Sequence, residues 1–524
     1  MADAVVIGAG PNGLVAANKL ADAGWEVVVL EAQPEIGGAV RSGEYVKPGF
    51  VHDRFSAFYP LGIGSRHISS LRLEEHGLVW RKAPVVVADP LTDGTAAVLS
   101  LDLDETCASV DAAAPGDGAT WRELIDWWDR IGTRFMGALL DPFPPVRRGA
   151  RLAAALGGPS GALEFARFGM LSVRRFSEER FRGDAAARLL AGNALHPDIS
   201  PETAGGALFG MVLVGLGQRL GWPVPEGGAG RLTGAMAARL RAAGGRIECG
   251  ARVERVLVRS NRAVGVRCAD GREVEARRAV LADTGAPQLY LELLERDVVP
   301  GRVLSAMERF QYDTGTVKID WALDGPIPWS SPDTARAGTV HITGGVDELS
   351  LQADEIARGR IPARPFLIVG QYAHFDPTRQ PAGKETAWAY THVPQRVRGD
   401  GGPDGLAGRW DAAELETMAA RVEARLEEVA PGFGSRVLAR HLAGPRELEA
   451  ADANLVGGAL NGGTAQLHQQ LVFRPAPAHR GRAETPVRGL YLASASAHPG
   501  GGVHGAPGAN AARAALAHAR IPFR

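Results

Sequence analysis

The sequence predicts an α/β fold, and three stretches carry that prediction. At the N-terminus a short apolar run at residues 4–7 leads through glycines into a helical pattern and a second apolar run. Between residues 227 and 282 an α/β pattern returns and ends in strands separated by hairpin signals. Near the C-terminus a strand enters a glycine-rich turn that opens into an alanine-rich helix.

Bulk properties narrow the class. A chain of 524 residues exceeds one small core and calls for roughly two to four domains. With 45% hydrophobic and 22% charged residues, its composition is that of an ordinary globular protein. The formal net charge of −1 gives no global reason to expect nucleic acid as a partner. Cys107, Cys249 and Cys268 are far apart, form no metal or redox spacing, and are each expected to be buried small apolar residues. The longest apolar run, 204–217, is too short to span a membrane and is broken by glycines. The apolar N-terminus has Asp3 where a leader would have basic residues. A cytoplasmic protein with reduced thiols is the expectation.

In chain order, residues 4–7 form a buried strand, 12–23 a helix with Leu14, Ala17, Leu20 and Ala21 on one face, and 25–31 a second strand after Gly24. Residues 120–140 are helical, with Trp121, Leu124, Trp128 and Phe135 at core spacing. Residues 146–182 hold eight arginines interleaved with Leu152, Phe165, Phe168, Met170, Leu171 and Phe176. That pattern reads as a solvated helix face or as a patch for peripheral contact with a membrane surface. Strands follow over 246–282, with turns at Ser260–Asn261 and Asp270–Gly271. Mixed strand and helix fill 303–475, including a helix at 409–429; a strand at 489–493 and a helix at 510–519 close the chain. Residues 142–145 and 401–408 read as surface loops.

The first strand, turn and helix carry Gly8-Ala9-Gly10-Pro11-Asn12-Gly13. Gly8 permits the tight turn, Gly10 leaves the backbone free to approach a pyrophosphate, and Gly13 lets helix and strand pack closely. The N-terminus of the helix offers unpaired N–H groups and a positive dipole end to phosphates. Glu31, at the end of the second strand, is placed to accept hydrogen bonds from a ribose diol and would repel a 2′-phosphate. Together these make a Rossmann dinucleotide site. Gly37 and Gly38 follow Glu31, with Arg41 after Ala39 and Val40. A Gly-Gly pair here is the mark of glutathione-reductase-type proteins and selects FAD over NAD; the usual form places the arginine directly after the pair.

In the C-terminal segment 489–510 the strand, glycine turn and helix include His498, Gly501, Gly502, Val503 and His504. Such a helix can aim its N-terminus at the flavin pyrimidine ring, where positive potential favours the reduced form.

Taken together, Gly8 to Gly13, residues 48–56, the stretch 225–228 with Gly230, residues 388–394 and residues 485–510 resemble the phytoene desaturase and carotenoid isomerase family of FAD proteins, in its phytoene-dehydrogenase-like branch. The resemblance covers nearly the whole chain. It implies a glutathione-reductase-type Rossmann FAD domain, assembled from residues 1–70, 225–290 and 480–524, interleaved with a mixed α+β substrate domain of residues 71–224 and 291–479. It implies a backbone contact from Val253 to adenine, and contacts from Gly501, Gly502 and Val503 to the flavin. Many relatives have an acidic residue near Ser494–Ser496 that touches the pyrophosphate; this chain has none there. The implied substrates are apolar and often polyunsaturated. The implied chemistry is desaturation, dehydrogenation or isomerisation, with hydride passing from substrate carbon to flavin.

His498 and His504 flank the glycine turn and are the candidate proton acceptors, since a neutral imidazole can take a proton near pH 7. His52 and Asp53 fit packing or a supporting role, and His196, His392 and His468 have no partner visible in the sequence. No metal-ligand, Ser-His-Asp or CxxC pattern is present, so hydrolase and metalloenzyme classes are poor fits. No second dinucleotide fingerprint follows a strand, so the expected electron acceptor is oxygen, a quinone or a protein rather than NAD(P). Two other readings remain: a flavin amine oxidase, for which no lysine relay or aromatic cage is recognisable in the sequence, and a flavin-bound interaction protein without turnover.

Overall fold

Two seven-stranded sheets and a layer of helices dominate the computed structural model, which describes residues 1–520. Of the stretch 480–524, residues 521–524 lie outside the described residues. The first sheet runs in the order Val253–Arg259, Arg262–Cys268, Glu273–Ala282, Ala2–Ile7, Val27–Leu30, Arg246–Glu248, with Leu490–Leu492 also on Glu273–Ala282. Ala2–Ile7 lies parallel to both of its neighbours, with Val5 opposite Val28 and Val280. A central parallel strand is covered on both faces, which is why this one is an unbroken apolar run. Strand Glu273–Ala282 serves two purposes: its start pairs antiparallel with Arg262–Cys268, and its end joins the parallel core. Ser260 and Asn261 take φ of 47° and 56°, the left-handed pair that a two-residue hairpin needs.

Helices Pro11–Asp22, Gly230–Ala242 and Ala506–Ala519 pack together on one face of this sheet. The first and last cross closely because Gly508 has no side chain: a Cβ there would stand 1.9 Å from Asn12 O. The last helix begins at Ala506, earlier than the alanine run beginning at 510, because Pro507 suits a first turn that needs no N–H.

The second sheet runs Val437–Ala443, Gly315–Leu323, Glu385–Val393, Leu367–Gln371, Ala337–Ile342, Val85–Pro90, Ala96–Ser100. All pairs are antiparallel except Ala337–Ile342 with Val85–Pro90. Helix Ala412–Glu427 covers one face, started by Asp411, whose side chain accepts the Glu414 N–H. Helices Asp117–Leu139, Ala185–Ala194 and Gly206–Leu220 cover part of the other, around Trp121, Trp128 and Met211. Residues 146–182 form three helices, Val146–Ala155, Pro159–Phe168 and Val173–Arg180, with Gly157 and Gly158 at positive φ in the first break. Among the described residues no helix is long and apolar enough to cross a membrane, and no group of three His, Cys, Asp or Glu residues could hold a metal. Cys107 and Cys268 are buried; Cys249, expected inside, is exposed, because it follows the short edge strand Arg246–Glu248.

Candidate cofactor and active site

The glycine loop sits at the end of the central strand. Gly8 N donates to Leu30 O at 2.8 Å and takes φ of 94°, so the chain can turn sharply into the helix Pro11–Asp22. Pro11 and Asn12 open that helix, where N–H groups have no intrahelical acceptor. Gly37 and Gly38 are also at positive φ, 122° and 54°, and bring a second turn against the first. A Cβ on Gly38 would stand 3.1 Å from Gly10 Cα, and one on Gly13 would stand 2.2 Å from Gly8 O. Two backbone loops therefore converge, with the Asp283 carboxyl set against Gly10. This is a cradle that pyrophosphate fits and that a Cβ would fill.

Glu31 is buried, and its carboxylate accepts Ala9 N–H at 2.7 Å and Gln33 N–H at 2.9 Å. Those bonds fix its position and leave lone pairs for a ribose diol. Glu31 O accepts Ala251 N–H, which brings the start of strand Val253–Arg259 to the same corner, so Val253 and Glu31 share one end of the site. Arg41 is buried and donates to Gly38 O at 3.0 Å, Ala451 O at 2.7 Å and Glu35 at 3.1 Å. It clamps the Gly37–Gly38 turn to the 451 region. The residues fit the adenosine and pyrophosphate half of FAD. One neighbour was not visible in the sequence: Asp283, just past strand Glu273–Ala282, accepts Gly13 N–H at 2.7 Å from beneath the loop. Burial pushes its carboxyl up to about 8, aided by Asp452 and Glu31.

At the C-terminal turn a Cβ on Gly502 would stand 2.4 Å from Leu61 Cδ1, and one on Gly501 would stand 3.0 Å from Asn461 Cα. Val503 takes φ of 52°, a strained conformation for a β-branched residue. His504 Nδ1 accepts Ala506 N–H at 3.1 Å, so its proton is on Nε2. His498 Nε2 donates to Asp141 O at 3.0 Å, and its Nδ1 is fully enclosed. Burial lowers both rings to about 4. Both are therefore neutral at pH 7, and their hydrogen bonds leave neither with a lone pair toward the cavity. His504 lines the cavity and His498 lies behind it.

The turn Gly501–His504 forms one end of a cavity of about 400 Å³. Phe58, Leu61, Phe135, Leu208, Phe209, Val212 and Trp222 supply its apolar walls, and a face of the second sheet supplies Lys318, Ile368, Trp388 and Tyr390. None of the lining residues is Asp or Glu. Its cations are Lys318 and Arg474. Lys318 is buried, donates to Asp53 O at 3.0 Å and to the Asp320 carboxylate, and lies 5.9 Å from the centre of the Trp388 ring. A lone lysine within the apolar strand Gly315–Leu323 was the available sequence signal. Arg474 is fully buried and donates to the carbonyls of Thr464, Asn461 and Ala495. Burial lowers it to about 10, which still leaves it charged at pH 7.

His52 is a packing residue, bonded to Trp321 O at 3.0 Å. Asp53 links the two sheets. It accepts the Ser42 O–H and the Ala229 N–H, both at 2.7 Å, from the cofactor side, and Arg379 at 2.6 Å and the Tyr372 hydroxyl at 3.0 Å from the other.

The sequence profile described as flavin containing amine oxidoreductase matches residues 98–399, and one described as NAD(P)-binding Rossmann-like domain matches residues 6–71. Pyridine nucleotide-disulfide oxidoreductase domain-containing protein 2 of Mus musculus is 30% identical, across 97% of this chain and 92% of its own. The phytoene desaturase (lycopene-forming) of Pseudescherichia vulneris is 27% identical, across 98% and 99%. Among solved structures, wild-type putrescine oxidase bound to putrescine superposes with a TM-score of 0.62 at 17% identity, over 99% of both chains, a likeness of fold.

Proposed function

The chain belongs to the flavin-containing amine oxidoreductase family, and from that premise we propose that it oxidises a carbon–carbon unit of an apolar substrate. Its cofactor is FAD and it is an oxidoreductase. The observation that carries the finer reading is the cavity wall: apolar, with two cations and no carboxylate. An ammonium substrate would find no counter-ion there and would face Lys318 and Arg474. A hydrocarbon skeleton gains about 25 cal/mol per Å² of surface removed from water.

FAD supplies the hydride acceptor. The chain's own part is placement and electrostatics. Gly501, Gly502 and Leu61 shape the end of the cavity where the flavin ring would lie, and Phe58 and Trp388 line the space beyond it. Arg474, behind Gly500, adds positive charge at this end. His504 Nε2 is a donor, so the proton from the neighbouring carbon leaves to water. Electrons pass on to oxygen, a quinone or a protein; the NAD(P)-binding profile matches the same glycine loop that serves FAD.

Entry from a membrane surface goes with this reading. Met170, Leu163 and Val146 are 64%, 73% and 72% exposed. Leu467 and Leu471 are exposed and also line the cavity. Of the arginines in 146–182, five are in ion pairs, Arg148, Arg167, Arg174, Arg175 and Arg180, while Arg147 and Arg151 form none among the described residues. Flotation with anionic and neutral vesicles is expected to show binding to anionic vesicles that Arg147→Glu with Arg151→Glu weakens. Equal absence of binding to both vesicle types contradicts it.

One observation favours a second reading, oxidation of a neutral amine: the buried Lys318 on the cavity floor. Anaerobic mixing separates the two. Apolar alkenes are expected to bleach the flavin absorbance, and bleaching by amines alone transfers the assignment to the C–N bond.

A further inference from the structure

Two polar atoms facing this apolar cavity, Tyr390 Oη and His196 Nδ1, have no hydrogen-bond partner among the described residues. Tyr390 is paired across the sheet with Lys318 on one side and Ile368 on the other, so the three side chains project from one face. Its ring stacks on Trp388 at 6.0 Å, deep in the protein, yet part of the residue stays open to the cavity. Among the described residues nothing bonds its hydroxyl, which is also not among the fully enclosed polar atoms. The hydroxyl therefore opens onto the cavity.

His196 repeats the pattern on the helical wall. Its Nε2 lies 3.0 Å from His341 Nε2, and its ring edge meets Trp222 at 5.1 Å. Both imidazoles are neutral, because burial lowers His196 to about 3 and His341 well below its usual value. His341 Nδ1 is enclosed without a partner against Gly192. An enclosed lone pair is tolerated better than an enclosed N–H. His341 therefore keeps its proton on Nε2 and donates it to His196. This leaves His196 with its proton on Nδ1, an atom that is unbonded and not enclosed.

We propose that Tyr390 Oη and His196 Nδ1 together anchor an oxygen of the substrate, a hydroxyl or carbonyl on an otherwise apolar carbon skeleton. A pure hydrocarbon would leave both donors dry and unpaired, which is the arrangement that proteins avoid. A substrate oxygen can accept from either donor, and a hydroxyl oxygen can also donate back to the phenol. The inference rests on the reading that this cavity receives the substrate.

The test compares geraniol with the hydrocarbon that lacks its hydroxyl, each titrated into the FAD-loaded protein and followed by perturbation of the bound-flavin spectrum. Tyr390→Phe removes a hydroxyl that bonds nothing in the protein, so folding and FAD content are expected to be unchanged. The native chain is expected to bind the alcohol more tightly than the hydrocarbon. Tyr390→Phe is expected to weaken the alcohol roughly 3- to 10-fold, the loss of one hydrogen bond, with the hydrocarbon unaffected. His196→Phe, which also removes a donor, should act in the same sense. Equal affinity for both probes in the native chain, equal losses for both in Tyr390→Phe, or no binding of the alcohol overturns the anchor. An anchor-dependent alcohol with no bleaching by any apolar compound keeps the anchor and removes the carbon–carbon reading. Bleaching by hydrocarbons with no alcohol preference does the reverse.

Discussion

At the scale of single residues, Asp283 is the least expected member of the cofactor site. Its carboxyl accepts Gly13 N–H at the helix end where pyrophosphate belongs. An ionised carboxylate there would repel phosphate; burial keeps it protonated up to about pH 8. Its value is raised in the folded chain, so the folded state is penalised progressively as pH climbs from the ordinary carboxylate value toward about 8, and fully above it. FAD retention should therefore fall as pH rises through about 8, and Asp283→Asn should retain FAD across that window. Fluorescence of released flavin against pH measures this, and identical profiles for both proteins would contradict it. Glu31 was legible because it ends a strand at a fixed distance from the glycine turn. Asp283 was not: it reaches the loop only because Val280 pairs with Val5, a register between segments far apart in the chain. The histidines illustrate the same limit. His498 and His504 were found beside the turn, but their tautomers depend on Asp141 O and Ala506 N–H.

At the scale of elements, the seam between the two sheets rests on one buried cluster. Asp53 and Arg379 are both 0% exposed, and Arg379 also meets Asp376 at 2.7 Å. Removing Arg379 leaves the Asp53 and Asp376 carboxylates buried without their cation, and removing Asp53 leaves Arg379 with Asp376 alone and strips Tyr372, Ser42 and Ala229 of their acceptor, a loss of about 3–5 kcal/mol. Asp53→Ala or Arg379→Met should each lower the denaturation midpoint by that measure, whereas the exposed pair Arg296–Glu308 should contribute at most about 1 kcal/mol. Similar midpoints for Asp53→Ala and Glu308→Ala would contradict the role given to the cluster. Local elements were largely readable. The first βαβ unit, the hairpin at Ser260–Asn261 and the helix Ala412–Glu427 follow from apolar period, turn residues and caps. The first break in 146–182 falls at Gly157 and Gly158, both at positive φ, and was not read. Its arginines looked like one patch, yet five are taken up by acids, among them Glu123 and Glu202, which lie outside the segment.

At the scale of the whole molecule, a parallel sheet holds FAD and a second sheet with a helical cover makes the chamber beside it. Family and cofactor were visible in the sequence because glycine turns are local. The chamber was not, since its floor alternates along three strands and its walls come from helices distant in sequence. Because the one dinucleotide fingerprint serves FAD, NADH and NADPH should not bleach the flavin within seconds in anaerobic stopped-flow, and fast bleaching by either would contradict that. Which bond is oxidised decides the assignment. The most direct measurement is the mass of the product after one anaerobic turnover of the FAD-loaded protein with an apolar alkene bearing one oxygen. The expected product is lighter by two hydrogens, with a new carbon–carbon double bond and its oxygen function unchanged, and one equivalent of flavin is bleached; a carbonyl formed from the alcohol would contradict the carbon–carbon assignment. Flavin left unbleached by such compounds, while an amine yields a carbonyl product and ammonia, would contradict it.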